Sequence, residues 1–168
     1  MHFFQPFDLS MWEFNPFTKV SKELFLLAAG DKEKANAMTA GWGGMGVIWG
    51  KNVVFVFVRE SRYTRELMDK YDTFSVNFLG ENKKSIMTYF GKVSGRDEDK
   101  IANARMNVDY EGETPYLDES NLVLICKKLS KTELSPDQFL DPEIEPAMYK
   151  DGDYHYMYIG EIEKIMAR

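Results

Sequence analysis

The segment Asn52–Val58, with the sequence NVVFVFV, restricts the fold more than any other part of the chain. Six of its seven residues are β-branched or aromatic, which is typical of a β-strand. Apolar runs predict further strands at Glu23–Ala29, Ala35–Trp42, Leu122–Leu129 and Tyr154–Ile165. In Thr73–Leu79, large apolar residues alternate with Ser75 and Asn77, which predicts a half-buried strand.

Helical patterns are short and lie between these strands. SRYTRELMDKY predicts one helix with Ser61 or Thr64 as its N-cap, and Asn82–Phe90 predicts another, with Gly91 as its stop. Asp97–Arg105 and the capping box at Ser135 predict only a turn or two each. About six strands without long alternating helices indicate a mainly β protein, a β-barrel with helical excursions, rather than a doubly wound sheet.

Composition narrows the class of protein. At 168 residues we expect a single domain, and the net charge of 21 − 27 = −6 argues against nucleic acid as a partner. No apolar run reaches the ~18 residues of a membrane span, and the first residues do not resemble a signal peptide. The only cysteine, Cys126, fits a cytoplasmic protein and is expected to be an inert buried thiol. The 24 aromatic residues suggest a lined pocket or an oligomer interface.

Several common catalytic signatures are missing from the sequence. Neither G-x-G-x-x-G after a strand nor a P-loop occurs, and GWGGMG has the spacing of neither. With only His2, His155 and one cysteine, no cluster has the spacing of transition-metal ligands. A Ser-His-Asp triad could rest on His155 alone.

Three segments carry polar and aromatic groups that could serve a common ligand: Asn36–Trp42, Arg59–Thr64 and Phe90–Lys100. Each has a simpler interpretation: a strand edge with a turn, a helix cap with solvated arginines, and a turn before a charged helix. Together they supply hydroxyls and cations for a phosphate, and apolar surface for a planar ring. Those are the groups that a flavin nucleotide needs.

The motifs N-A-M-T-A-G-W, R-x-S-R-Y-T, T-F-S-V-N-F-L, F-G-x-x-S-G-R-D-x-D-K and D-Y-H-Y-M-Y-I-G-E-I occur in this order along the chain. In that order and spacing they resemble the flavin reductase-like family, and its flavoredoxin-type members most. The resemblance runs from about Phe14 to Ile165. It implies an FMN-binding split β-barrel that forms a homodimer, with the flavin near the subunit interface.

The resemblance also implies roles for individual residues. The cofactor-binding residues on the first segment would be Met38, Thr39, Ala40 and Trp42. The phosphate and ribityl chain would be held by Arg59, Arg62, Tyr63 and Thr64, and Asn77 would face the site. Ser94, Gly95 and Arg96 would close over the cofactor with Lys100 nearby. His155 would border the nicotinamide side of the ring as a catalytic residue, although a hydrogen-bonded strand histidine explains it equally well.

Two functions follow from the resemblance. The first is an FMN-dependent oxidoreductase that passes electrons from NAD(P)H to free flavin or to a partner protein, with the hard chemistry supplied by the flavin. The second is a flavoredoxin-like electron carrier without NAD(P)H turnover of its own. A third interpretation is a barrel for another planar ligand, such as haem or a pyridoxal compound. It lacks a well-placed ligand histidine and a convincing Schiff-base lysine motif.

Overall fold

The computed structural model describes residues 3–7 and 13–168. The strands of this part are β1 (Gln5–Pro6), β2 (Phe25–Gly30), β3 (Ala35–Ala40), β4 (Gly43–Ile48), β5 (Lys51–Arg59), β6 (Thr73–Phe78), β7 (Val108–Glu111), β8 (Thr114–Leu117), β9 (Leu122–Glu133) and β10 (His155–Ala167). The helices are α1 (Pro16–Thr18), α2 (Tyr63–Lys70), α3 (Lys84–Lys92), α4 (Lys100–Asn103) and α5 (Ile144–Met148). A π-helical turn, Lys19–Glu23, continues α1, and a 3₁₀ turn, Pro136–Gln138, follows β9.

Eight strands form one antiparallel sheet, in the order β3-β2-β6-β9-β10-β5-β4, with β1 added to the end of β10. Strands β7 and β8 form a separate hairpin. The long pairings of β10 with β5 and β9 make up the centre of the sheet. The predicted mainly β fold, a barrel with helical excursions, is confirmed.

The sheet curls around one apolar core. Met38 and Ala40 on β3 pack in the same cluster as Met45 on β4, although these strands lie at opposite ends of the strand order. Leu67 and Met68 of α2 join this cluster, so the apolar face of the amphipathic helix closes the core. The curled sheet therefore brings β3, the end of β5 and the start of α2 together.

The opposite face of β2 and β6 is covered as well. Helix α3 packs Met87 and Phe90 against this face together with Leu117 of β8. Every residue of β2 is buried, as are Phe74–Phe78 of β6. The prediction that Thr73–Leu79 is only half-buried is therefore wrong, because β8 covers the polar side of this strand.

Some of the predicted helix caps and helix ends differ from those in the structure. Helix α2 begins at Tyr63 with Arg62 as its N-cap residue, so the predicted caps Ser61 and Thr64 are wrong. Their hydroxyls are used elsewhere: Ser61 donates to Asp153, and Thr64 accepts from Asn36 on β3. The predicted stop at Gly91 is two residues early, since α3 runs to Lys92 and its C-cap residue is Val93. The capping box at Ser135 is present.

Strand β4 is formed by the glycine-rich segment that the sequence suggested only as a turn region. It pairs with β5 through a two-residue turn, Trp49–Gly50, in which both φ angles are positive (55° and 69°). Those angles match the type I′ turn that is favoured in tight hairpins. Tryptophan rarely adopts this conformation, so local sequence preferences do not reveal the hairpin.

Cys126 is fully buried on β9, and burial raises the pKa of its thiol well above the usual value. The expectation of a buried cysteine is confirmed, and the raised pKa agrees with a thiol of low reactivity. Across residues 3–7 and 13–168, none of the helices has the length and apolar character that crossing a bilayer requires.

Gly160 lies where β10 packs closely against side chains of β6 and β9. A Cβ at this position would lie 2.5 Å from Cζ of Phe74 and 3.2 Å from Cβ of Cys126, both fully buried. We expect Gly160→Ala to lower the free energy of unfolding by about 1–3 kcal/mol through overpacking, as measured by urea denaturation. The control is Gly44→Ala on β4, where a Cβ meets nothing within 4 Å. Equal stability of the two variants would contradict this packing.

Candidate functional site

A first cavity, of about 120 Å³, lies where β3, the N-terminus of α2 and the loop after α3 meet. Its lining residues are Asn36, Met38, Ser61, Arg62, Tyr63, Thr64, Lys92, Val93, Ser94, Gly95, Arg96 and Lys100. Four of them are cations and five carry hydroxyl or amide groups. Helix α2 begins at the same place, and although the Arg65 N–H already bonds the Arg62 carbonyl, the N-terminus of the helix adds positive potential there. This cavity has the chemistry of an anion site.

A buried hydrogen bond joins two of the three segments. Nδ2 of Asn36 on β3 donates to Oγ1 of Thr64 on α2 over 2.8 Å, and both residues are almost fully buried. The third segment approaches the same point at Gly95. A Cβ there would lie 2.2 Å from Oδ1 of Asn36 and 3.0 Å from the ring of Tyr63. Only glycine permits this contact without movement of its neighbours.

The cations of this cavity are anchored on carbonyl groups. Arg62 donates to the Gly91 carbonyl over 2.7 Å, and Lys100 donates to the carbonyls of Phe90 and Val93 over 3.1 and 3.0 Å. Lys100 is buried, and this burial, with the nearby Arg62 guanidinium, lowers the pKa of its ammonium group to about 8. The site therefore concentrates positive charge in an acidic chain.

Arg96 and Tyr63 form the rim of the first cavity. Arg96 donates to the Ser61 carbonyl over 3.0 Å and pairs with the Glu66 carboxylate. Its guanidinium lies over the Tyr63 ring, 5.4 Å from the centroid, and the Lys34 ammonium lies 5.1 Å from the same centroid. The predicted closing segment Ser94–Arg96 thus contacts the start of α2 directly.

A second cavity, of about 380 Å³, adjoins the first and shares Met38 and Arg62 with it. The other lining residues are Ser21, Leu24, Thr39, Ala40, Gly41, Trp42, Phe57, Arg59 and His155. Its size falls within the ~300–1,000 Å³ of small-molecule sites. It is richer in apolar and aromatic groups than the first cavity, which suits a planar ring.

Trp42 and His155 lie together in this second cavity. Their ring centroids are 4.7 Å apart, and 42% of Trp42 is exposed, so the indole is not an ordinary core residue. Nδ1 of His155 lies 2.9 Å from the hydroxyl of Tyr149. Burial, with Arg59 as the next cause, lowers the pKa of His155 to about 4, so the imidazole is neutral at pH 7.

Arg59 lies in the second cavity and does not line the first. Its guanidinium donates to the carbonyls of Asp153 and Met148 over 2.6 and 3.1 Å, and it lies 5.4 Å from the centroid of the Tyr149 ring. The resemblance grouped Arg59 with the phosphate-binding residues. The structure separates it from them, because it terminates β5 beside His155 rather than beginning α2.

Asn77 is the one predicted site residue that lies away from both cavities. It is fully buried on β6, where its amide donates to the Leu26 carbonyl and to Ser75, and its oxygen accepts from the Leu117 N–H. The prediction that it faces the site is corrected here: its side chain lies on the face of β6 that β8 covers. All the other predicted site residues line one cavity or both.

Several lining residues were not among the predicted cofactor-binding residues. Asn36 and Ser61 belong to the three segments that the sequence pointed to, but their roles depend on distant partners, Thr64 for Asn36 and Asp153 for Ser61. Phe57 belongs to the strongest strand, and alternation along β5 was the available signal that it points away from the core. Leu24 carries no such signal, because its place depends on a positive φ angle of 65° after the π-helical turn.

The fold and the cavities together define a mainly β protein with a candidate site for a phosphorylated ligand that carries a planar ring. Residues 17–168 match the sequence model of the flavin reductase like domain. The chain therefore belongs to the flavin reductase like family, which confirms the resemblance drawn from its motifs. Among curated proteins, no sequence matches this chain significantly.

Solved structures agree with this assignment. Flavoredoxin from Methanosarcina acetivorans is 28% identical with a TM-score of 0.69, over 87% of this chain and 68% of that one. An FMN-binding protein from Thermus thermophilus is 20% identical with a TM-score of 0.65, over 84% of this chain and 69% of that one. The NADH:FAD oxidoreductase of Streptomyces globisporus C-1027 is 16% identical with a TM-score of 0.65, over 87% and 75% respectively. The last two show the split-barrel fold alone.

The position of Asn77 leads to a prediction about stability. Asn77→Ala leaves the buried Leu117 N–H without its side-chain acceptor, so we expect the free energy of unfolding to fall by about 1–3 kcal/mol in urea titrations. Asn52→Ala, at an exposed position on β5, is the matched control and should change it by less than about 0.5 kcal/mol. An Asn77→Ala protein as stable as wild type would show that this amide does not hold β6 to β8.

Proposed function

We propose that the two cavities form one FMN site, and that the protein is an oxidoreductase that transfers electrons from NAD(P)H through the flavin to free flavin or a partner protein. The observation that carries this proposal is the union of a cationic cavity with an aromatic one through Met38 and Arg62. The flavin, when bound, supplies the hydride and electron transfer. The chain supplies binding, orientation and electrostatics.

The donor set of the first cavity fits a phosphate monoester. Such a group carries about −1.5 to −2 charges at pH 7 and accepts hydrogen bonds at three oxygens. Arg62, Arg96 and Lys100 provide the cations, Ser94 provides a hydroxyl, and α2 begins at the same cavity. These cations are held on backbone carbonyls rather than buried in full ion pairs, except for Arg96 with Glu66. They therefore keep charge available for an anion.

The second cavity fits a planar ring with polar edges. Ala40, Trp42 and Phe57 offer apolar and aromatic surface, and Met38 lies between the two cavities. We propose that Arg59 and His155 serve this end of the ligand. The neutral imidazole of His155 would border the side of the ring where a nicotinamide arrives.

The second candidate function is an electron carrier without NAD(P)H turnover. The identity of 28% with the flavoredoxin of Methanosarcina acetivorans favours it, and neither cavity distinguishes an electron carrier from a reductase.

We also propose a homodimer, because Val47 and Trp49 at the β4–β5 hairpin are 71% and 61% exposed and would be covered by a second copy. The buried free thiol of Cys126 fits the proposed cytoplasmic location.

A visible spectrum tests the assignment. The purified protein, mixed with FMN and freed of excess ligand, should retain a flavin absorption band. Anaerobic addition of NADH or NADPH should then bleach the band at a catalytically useful rate. Bleaching only by dithionite or a protein donor would favour the carrier, and failure to retain FMN would overturn both functions.

Arg62 is expected to contribute to FMN binding more than to folding. Loss of one charge-assisted interaction, worth about 1.5–3 kcal/mol, should raise the Kd for FMN by about 10- to 100-fold in Arg62→Ala. Arg65→Ala is the matched control, because Arg65 is on the same helix but lines neither cavity and pairs with Asp69. Fluorescence titration measures the affinities. Full FMN affinity in Arg62→Ala would contradict the phosphate assignment.

Lys100 predicts how FMN affinity depends on pH. Its pKa of about 8 without ligand means that the ammonium group is charged at pH 7 and loses its proton as pH rises through 8. A bound phosphate favours the charged form, so affinity should fall above pH 8, by up to about tenfold per pH unit. In Lys100→Met, affinity should be lower at pH 7 and lack this fall. The same decline in both proteins would remove Lys100 as its cause.

A further inference from the structure

An aromatic cluster of three rings, of which the ring of Tyr149 is buried, lies next to His155 and lines neither cavity. Phe139, Tyr149 and Tyr154 come from the excursion between β9 and β10. Their rings contact one another in a triangle, with centroid distances of 5.4 Å for Phe139–Tyr149, 4.9 Å for Tyr149–Tyr154 and 6.4 Å for Phe139–Tyr154. Tyr149 is 5% exposed and meets the His155 ring edge-on. The hydroxyl of Tyr149 contacts Nδ1 of His155 over 2.9 Å.

The direction of this hydrogen bond follows from the available partners. Within residues 3–7 and 13–168, the Tyr149 hydroxyl has one hydrogen-bond partner, His155. If Nδ1 donated to Tyr149, the hydroxyl proton would be left without an acceptor in a buried position, which costs about 1–3 kcal/mol. If Tyr149 donates to Nδ1, both groups are satisfied.

The other imidazole nitrogen, Nε2, is free to meet a ligand. Nε2 of His155 has no hydrogen bond in the described part of the chain, and no buried side-chain nitrogen or oxygen there lacks a partner. Nε2 must therefore be accessible, and His155 lines the second cavity. A neutral imidazole with an unprotonated Nδ1 carries its proton on Nε2.

We propose that Tyr149 is a positioning residue that holds His155 as the neutral Nε2–H tautomer, so that the second cavity presents a fixed hydrogen-bond donor. The rings of Phe139 and Tyr154 and the guanidinium of Arg59, which lies 5.4 Å from the Tyr149 centroid, hold the phenol in place. Where the proposed function holds, this donor selects a ligand that places an acceptor atom, such as a carbonyl oxygen, beside Trp42.

The surrounding charges are consistent with a neutral ring. Arg59 at the end of β5 and Arg62 before α2 disfavour the imidazolium. Asp153 before β10 favours the imidazolium, but its effect is smaller than that of burial and smaller than that of Arg59. Tyr149 from the segment after α5 and Trp42 after β3 are the uncharged neighbours. The pKa of about 4 keeps one protonation state from pH 5 to 8.

The tautomer can be read directly by NMR. The chain has two histidines, so ¹⁵N-histidine labelling with His2→Gln as the assignment variant isolates the two nitrogens of His155. In the protein freed of flavin we expect a protonated-type shift at Nε2 and an unprotonated-type shift at Nδ1, unchanged from pH 8 to 5. A protonated Nδ1, or an imidazolium at pH 6, would overturn the proposal.

Two hydroxyl deletions separate positioning from packing. Tyr149→Phe keeps the ring but removes the donor, so both nitrogen shifts should move toward each other as the proton redistributes. Tyr154→Phe is the matched control. Tyr154 belongs to the same aromatic cluster, but its hydroxyl donates to Glu145 instead of His155, so its removal should leave the tautomer unchanged. Wild-type shifts in Tyr149→Phe would overturn the proposal.

If Tyr149→Phe fails to fold, the wild-type spectrum still decides which nitrogen carries the proton. The measurement uses protein without flavin, so its result does not depend on FMN binding. Failure of the proposed function would appear in the FMN titration, while failure of this inference would appear in the NMR spectrum.

Discussion

The buried hydrogen bond between Asn36 and Thr64 is the contact around which the rest of the site is arranged. It joins β3 to the first turn of α2, and the close approach of Gly95 to Asn36 adds the loop after α3. A buried amide or hydroxyl without a partner is costly, so this pair limits the relative movement of the two elements. The first cavity exists because these three segments are held at that point.

The two cavities differ in charge for a physical reason. In the first, Arg62 and Lys100 are anchored on carbonyl groups, which orient the cations without neutralising them. In the second, burial keeps His155 neutral, and its partner Tyr149 is neutral too. Four cations line the first cavity and two arginines line the second, so a ligand that spans both would be oriented with its anion in the first and its ring against the apolar and aromatic groups of the second.

Local sequence patterns predicted much of the fold. The β-branched and aromatic runs predicted the main strands, and the amphipathic pattern predicted α2, because alternation and helical periodicity record which side of an element is covered. Predictions failed where a distant partner decided the outcome. Ser61 and Thr64 look like caps in sequence, yet their hydroxyls serve Asp153 and Asn36, and β4 depends on a turn with a strained tryptophan.

The sequence by itself determined the strand-rich fold, the family and the three segments that line the cavities, because residue types and their order suffice for these. Only the tertiary structure separated the roles within the segments. It moved Asn77 into the layer between β6 and β8, placed Arg59 beside His155, and paired that histidine with Tyr149. Such contacts arise where the curled sheet and its covering segments bring distant residues together, and no local pattern records which side chains meet.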